Sequence, residues 1–266
     1  MLLSGILVFF LIAISYGIGN RIVSSQNTLE KFVFSTGIGL GIISYLTLFL
    51  ALIGALYKWT CLLLLSLLIP IAVKGLWKEW KTISTDIKKI RLLFPLKRQN
   101  TLEYIFLSAL LISIILCLII SLAPPTDFDS LVYHLSIPKI WIQNHRAVYI
   151  PYIRQSVYHL TLETLFALGM LLSNDISANL LIWSYSILFV LAIISLSIKY
   201  FSIKIGILAG LIAYSTPLFG FIANKPMVDL PSSFYALLGV YAFMMYMDSD
   251  ERKMLVISAI TASLSA

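Results

Sequence analysis

Residues that could do chemistry are concentrated in one stretch, residues 124–159 (PPTDFDSLVYHLSIPKIWIQNHRAVYIPYIRQSVYH). It holds two of the twelve acidic residues, Asp127 and Asp129, and all three histidines of the chain, His134, His145 and His159. Carboxylates and imidazoles are the groups that most often move protons in enzymes. A chain this apolar rarely keeps so many hydrogen-bonding groups in one loop without a use for them. We therefore predict that this stretch is half of an active site at a membrane surface.

Spacing groups several of these side chains. Tyr133 and His134 follow Asp129 by four and five positions, so one helical turn brings them near it, where they could line a pocket. Anchoring in the membrane interface explains Tyr133 equally well, and capping of the helix SLVYHL explains Asp129 equally well. His159 and Glu163 form an i, i+4 pair on the next helix, more typical of a simple helix pair than of a catalytic dyad.

Composition places the chain in a bilayer. Hydrophobic residues make up 60% and charged residues 12%, whereas a soluble domain is about one quarter charged. The formal net charge is +7, but the basic residues collect in connectors. This distribution predicts orientation by the positive-inside rule and argues against nucleic-acid binding. Cys61 and Cys117 both lie inside apolar runs, which favours small core residues over a disulfide or a metal site.

The apolar runs that must position the loop predict an all-α polytopic membrane protein. Residues 1–77 read as three N-terminal transmembrane helices, residues 78–101 as a basic, amphipathic cytoplasmic connector, and residues 248–266 as a cytoplasmic turn and the start of a further, truncated helix. Close helix packing is expected at the three glycines of the second run, Gly37, Gly39 and Gly41. Spans are predicted over residues 2–18, 32–56, 59–77, 102–123, 180–198, 205–222 and 231–247.

One short run decides the topology. Residues 160–172 would extend only about 20 Å as a helix, so they are predicted to be interfacial or re-entrant rather than spanning. In that arrangement Asp129 and Asp229 share the non-cytoplasmic face; if the run crosses, they lie on opposite faces. Four basic residues favour the shared face: Lys199, Lys204, Arg252 and Lys253. Lys225 weighs slightly against it.

Residues 102–247 resemble the C-type glycosyltransferase superfamily (GT-C), which includes protein O-mannosyltransferases, the lipid A aminoarabinose transferase and Rgt-type bacterial sugar transferases. Four segments carry the resemblance in order: TDFDSLVYHLSIPKIWIQN, YIPYIRQSVYHLTLETLFALGMLLSND, IKYFSIKIGILAGLIAYSTPLFGFIAN and NKPMVDLPSSFYALLGVYAF. The implied fold is a GT-C-like transmembrane bundle with interfacial helices in its first large outer loop. Ser130 follows Asp129 where the family has an acidic pair, so Asp127 could supply the second carboxylate.

The resemblance implies an inverting hexosyl- or pentosyltransferase of the bacterial or archaeal cell membrane. It would move a sugar from a polyprenyl-phosphate donor to a hydroxyl acceptor on the outer face, among membrane lipids. Asp129 would be the general base and Asp229 the second catalytic acid. Substrate-binding residues would be Asp127, Tyr133, His134, Lys139, Arg154, His159 and Lys225, of which the three basic ones could hold the departing phosphate.

The sequence leaves the cofactor and two rival functions open. A divalent metal is left open as a cofactor, because the Asp-x-Asp spacing of Asp127 and Asp129 is only a weak metal motif and His134 has no second ligand at metal spacing. Rival functions are a membrane transporter or flippase and an inactive, truncated membrane protein. The final apolar run, which ends ITASLSA, is too short to cross, and predicts that the chain is the N-terminal part of a longer protein.

Overall fold

The computed structural model describes residues 1–23, 27–93, 101–158 and 160–265, with the backbone alone for residues 78–93. Throughout these ranges the regular secondary structure is helical. A π-helical turn covers Ser130–His134 and a 3-10 turn covers Arg154–Val157. The α-helices are α1 (Leu2–Gly19), α2 (Thr28–Leu52), α3 (Lys58–Leu93), α4 (Thr101–Ser121), α5 (Ser136–Asn144), α6 (Glu163–Leu172), α7 (Ile176–Tyr200), α8 (Ile203–Ser215), α9 (Pro217–Ile222), α10 (Asp229–Ser249) and α11 (Arg252–Ser263).

Six of the described helices are long and apolar enough to cross a bilayer: α1, α2, the first part of α3 (Lys58–Trp77), α4, α7 and α10. This confirms the predicted all-α, multi-pass membrane protein. The N-terminal helices are not a separate unit, because the hydroxyl of Tyr235 on α10 donates to the carbonyl of Gly37 on α2 at 2.9 Å. Helices α1 and α2 also pack against α7.

Two predicted boundaries differ from the structure. The predicted span 205–222 is broken into α8 and α9, because Thr216 has an extended backbone and Pro217 begins a new helix. A residue before proline is driven out of the helical region by steric contact with the proline ring. The helix of the third span also runs on beyond Trp77, since α3 continues into the predicted connector as far as Leu93. The apolar face expected at Ile83, Ile87, Ile90 and Phe94 lies outside the described side chains.

Helices α1 and α2 approach each other at glycines. A Cβ atom on Gly39 would overlap the carbonyl oxygen of Ser15, and a Cβ atom on Gly19 would overlap that of Ser35. Gly37 and Gly41 instead face the side chains of Leu238 and Leu264. The predicted close packing of this glycine run is confirmed, and at Gly39 it is a backbone-to-backbone contact.

Polar ties define one end of the bundle, here called the aspartate end. The hydroxyl of Ser4, near the start of α1, donates to the side chain of Asn174 at 2.9 Å. The backbone N–H of Leu56, between α2 and α3, donates to the carbonyl of His145 at 2.9 Å. The start of α7 joins them, since Asn179 donates to the carbonyl of Ala123 at 2.8 Å. The loop that carries Asp129 therefore lies at this end.

The opposite end is held by an ion pair and a hydrogen bond to a carboxylate. Lys204 at the start of α8 lies 2.5 Å from Glu103 at the start of α4. The hydroxyl of Tyr200, the last residue of α7, donates to Asp248 near the end of α10 at 2.6 Å. Helix α10 spans roughly 30 Å, so Asp229 at its first position lies at the aspartate end.

Helix α6 enters the bundle and leaves it on the same side. Thr164 in its first turn donates to the carbonyl of Ser44, inside α2, at 2.9 Å. Ser173, just beyond its last turn, contacts Ser4 at 3.0 Å. Eight of its ten residues are buried, so α6 packs inside the bundle, and the prediction that this run does not cross is tested below.

Replacing Gly39 by alanine tests the helix contact. We expect Gly39→Ala to destabilise the fold by about 1–3 kcal/mol, because the new methyl group meets backbone that cannot move aside. Gly5→Ala is the control, since no atom lies within 4 Å of the position of its Cβ. Thermal unfolding in detergent should show a lower midpoint for Gly39→Ala alone. Equal midpoints for the two variants would contradict the close approach of α1 and α2.

Accessibility to a thiol reagent tests the shared end. Cys61 and Cys117 are buried and are first replaced by alanine. In sealed vesicles, cysteines at Gln143 and Lys225 should react with an impermeant maleimide from the same side, whereas a cysteine at Arg252 should react from the other. Labelling of Gln143→Cys and Lys225→Cys from opposite sides would show that α6 crosses after all.

Candidate functional site

The turn that carries Asp129 is capped by a different residue. The carboxylate of Asp127 accepts a hydrogen bond from the backbone N–H of Ser130 at 3.0 Å. Asp129 makes no capping hydrogen bond and its side chain is exposed. The capping role considered for Asp129 is therefore wrong, and Asp127, the expected second carboxylate, is the residue that fills it. Asp129 is left free to meet a solute at the aspartate end.

Asp229 is also free of a capping role. Val228 occupies the N-cap position of α10, and no side-chain hydrogen bond caps the helix. Asp229 is the first helical residue and is exposed. Its negative charge lies where the positive end of the helix dipole stabilises it. Neither Asp129 nor Asp229 therefore caps a helix through its side chain.

Both aspartates act on one phenol. Tyr133 is half-buried, and burial is the main reason that its pKa lies above the usual value; the negative charges of Asp129, Asp229 and Glu163 raise it further. A like charge has this effect only when it lies nearby, so both aspartates belong to the surroundings of Tyr133. At neutral pH this hydroxyl keeps its proton and can donate a hydrogen bond.

His134 lies beneath this cluster rather than in an open pocket. Its Nδ1 atom is 3.1 Å from Oε1 of Glu163, and each residue is only 3% exposed. The expected place of His134 in the lining of a sugar pocket is therefore not what the structure shows. The predicted i, i+4 pair of His159 with Glu163 lies outside the described residues, because His159 does; among the described residues, the partner of Glu163 is His134.

The three candidate phosphate ligands have different surroundings. Lys139 forms an ion pair with Asp175 at 2.6 Å, and the ammonium group of Lys225 lies 3.5 Å from the ring centroid of Phe221. Arg154 is exposed and has no hydrogen-bond or ion-pair partner in the part of the chain that the structure describes. It begins the 3-10 turn that leads to Tyr158. The Tyr158 side chain is also among the groups that raise the pKa of Tyr133. Arg154 is therefore a cation without a competing partner among the described residues.

No metal ligand set accompanies the aspartates. Among the described residues, no three side chains of His, Cys, Asp or Glu are grouped to hold a metal ion. One carboxylate oxygen of Asp127 is already used by the Ser130 N–H. The structure therefore offers no arrangement to which the divalent metal left open by the sequence can be assigned.

Reasoning from spacing missed the contact of one buried acid, Glu163, with His134, and missed a second buried acid, Glu30, altogether. Glu163 pairs with His134, which lies far away along the chain. Glu30, 4% exposed on α2, accepts a hydrogen bond from Tyr241 at 3.0 Å and lies 3.5 Å from Lys199. The available signal was the position of each acid at the edge of an apolar run, where an unpaired charge would be costly.

Comparisons with protein families, with characterised proteins and with solved structures return no match for this chain.

Proposed function

We propose that the chain is an integral membrane glycosyltransferase of the C type. It transfers a sugar from a polyprenyl-phosphate donor to a hydroxyl acceptor at the non-cytoplasmic face of a cell membrane. The observation that supports this most is that Asp129 and Asp229, both exposed, lie at the same end of the bundle, where the negative charge of each adds to burial in raising the pKa of Tyr133. Their place at one end of a bundle of apolar helices is where a lipid-linked donor would present its head group.

The reaction assigned to this site is an in-line displacement. The acceptor oxygen forms a bond to the anomeric carbon while the bond from that carbon to the phosphate oxygen breaks. The electron pair leaves with the phosphate, and the configuration at the anomeric carbon inverts. Asp129 takes the acceptor proton, because an alcohol is a poor nucleophile until it loses that proton. Asp229 orients the acceptor.

Arg154 and Tyr133 serve the donor side of the reaction. Charge builds up on the departing phosphate, and a guanidinium group can offer two parallel N–H donors to its oxygens. Arg154 is exposed and has no competing carboxylate among the described residues, whereas Lys139 is held by Asp175 at 2.6 Å. Tyr133 stays protonated between negative charges and so donates a hydrogen bond to a sugar or phosphate oxygen.

Orientation follows from the basic residues. Lys199, Lys204, Arg252 and Lys253 lie at the end opposite the aspartates, and cytoplasmic ends carry more basic residues. A transporter would place ionisable groups near the middle of the membrane. In the described spans the ionisable residues lie near the helix ends, as Glu30, Glu103 and Lys199 do, which favours the enzyme.

Removing either carboxylate tests the proposal. We expect Asp129→Asn to lower the rate of sugar transfer about a hundredfold or more, as loss of a general base does, and Asp229→Asn to reduce it as well. Asp175→Asn is the matched control at the same end of the bundle. Transfer from a radiolabelled polyprenyl-phosphate sugar is measured, and elution from a sizing column checks the fold. Normal transfer by Asp129→Asn would remove it as the base.

The phosphate ligand is tested by comparing two basic residues. Arg154→Ala should lower kcat/KM for the donor about ten- to a hundredfold, because it removes charge-assisted hydrogen bonds to the phosphate. Arg154→Lys should recover part of that loss, since a lysine offers the charge but not the fork. Lys139→Ala should have little effect on kcat/KM. A large loss in Lys139→Ala with none in Arg154→Ala would reverse the assignment.

A further inference from the structure

The buried His134–Glu163 contact joins the turn below Asp129 to the re-entrant helix α6. His134 is the last residue of the π-helical turn Ser130–His134, and Glu163 is the first residue of α6. Their side chains meet at 3.1 Å with almost no access to solvent. In such surroundings a hydrogen bond between an imidazole and a carboxylate is strong, and the loss of either partner leaves the other unsatisfied.

The Glu163 side of this contact is rigidly held. The hydroxyl of Thr164, the next residue, donates to the carbonyl of Ser44 at 2.9 Å and lies 3.1 Å from the Ser44 hydroxyl. The Ser44 hydroxyl in turn donates to the carbonyl of Thr161. These bonds tie the start of α6 to the interior of α2, so Glu163 is a fixed point in the bundle.

The His134 side belongs to the short π-helical turn Ser130–His134. The π-helical turn is closed by the hydrogen bond from Leu135 N–H to the Ser130 carbonyl at 2.9 Å and is capped by Asp127. π-helical turns are rare and often occur at functional sites. The ring of His134 lies against the ring of Tyr133, with centroids 4.1 Å apart. A shift of His134 would therefore move Tyr133 and the turn that carries Asp129.

We propose that the His134–Glu163 pair is a positioning pair that holds Tyr133 and Asp129 in the geometry for transfer. The inference rests on the proposed function for its catalytic part. Oε2 of Glu163 is buried without a hydrogen-bond partner in the described part of the chain, so the pair is not the arrangement that stability alone favours. Apolar residues of similar volume would avoid that cost. The pair supplies a directional bond between α6 and the turn, which apolar packing cannot.

The first test does not depend on activity. Ser130 lies on the π-helical turn and is 0% exposed, so a cysteine there reacts only when the turn opens. With Cys61 and Cys117 replaced by alanine, we expect Glu163→Ala and His134→Ala to raise its rate of reaction with a maleimide about tenfold. Glu163→Gln and His134→Asn keep a hydrogen bond and should react at the parental rate. Unchanged rates in both alanine variants would overturn the positioning role.

The second test separates positioning from stability. In the double variant His134→Leu/Glu163→Leu, apolar side chains replace the pair, and the thermal midpoint should stay at or above that of the parent. Positioning predicts that kcat, measured per folded molecule with a polyprenyl-phosphate sugar, nevertheless falls about tenfold while the donor KM changes little. A double variant with parental kcat would show that the pair has a structural role alone.

The two tests also distinguish this inference from the proposed function. If the parent protein transfers no sugar, the proposed function fails, while the maleimide rates still decide whether the pair holds the turn. If transfer occurs and the maleimide rates do not respond to the alanine variants, the proposed function stands and the positioning pair is rejected.

Discussion

Inside a bilayer, a backbone or side-chain polar group must find its partner within the protein, because lipid offers none. Helix α6 is where this constraint has the largest consequences. It is too short to cross, so its first turn ends within the bundle, at the level of Ser44 in α2. Glu163 and Thr164 therefore need internal partners, and they find them in His134 and Ser44. Because α6 returns to the end from which it entered, the later helices keep the orientation that brings Asp229 to the same end as Asp129.

The same constraint operates at the opposite end with different groups. Glu30 is buried at the start of α2 and is satisfied by Tyr241 on α10 and Lys199 on α7. Between the two ends, the hydroxyl of Tyr235 contacts that of Tyr185 at 3.1 Å and donates to the Gly37 carbonyl at 2.9 Å. Directional contacts thus fix α2, α7 and α10 against one another at several depths. Apolar packing against lipid-like surfaces provides little preference for one arrangement of helices over another. The polar contacts supply that preference and so determine where the first residue of α10 lies.

Sequence reasoning worked where the physical cause is local. The spans follow from hydropathy and length, and the close contact at Gly39 follows from the absence of a side chain. The prediction that residues 160–172 do not cross follows from the length of a helix of that many residues. The break at Thr216 and Pro217 has an equally local cause, yet continuous hydropathy across residues 205–222 concealed it.

Reasoning failed where the partner is distant along the chain. His134 and Glu163, or Lys139 and Asp175, meet only after the helices have packed. It also failed for the caps, because Asp127 and Asp129 are both chemically suited to that role and the backbone geometry selects Asp127.

The arrangement of charge at the aspartate end also constrains the chemistry. Asp129 and Asp229 are exposed, and neither is paired with a basic side chain among the described residues, whereas Asp175 is neutralised by Lys139. Two unpaired carboxylates near one hydroxyl repel an anionic nucleophile and favour a neutral one that can give up a proton. A hydroxyl acceptor meets this condition. An anionic donor needs a cation as well. That cation must lie apart from the carboxylates, because otherwise it would pair with them. Arg154 lies on a different turn from the aspartates and so meets this requirement. In the proposed reaction, the aspartates would accept the proton and Arg154 would hold the anion, while Tyr133, whose pKa is raised by burial and by the nearby carboxylates, would donate a hydrogen bond.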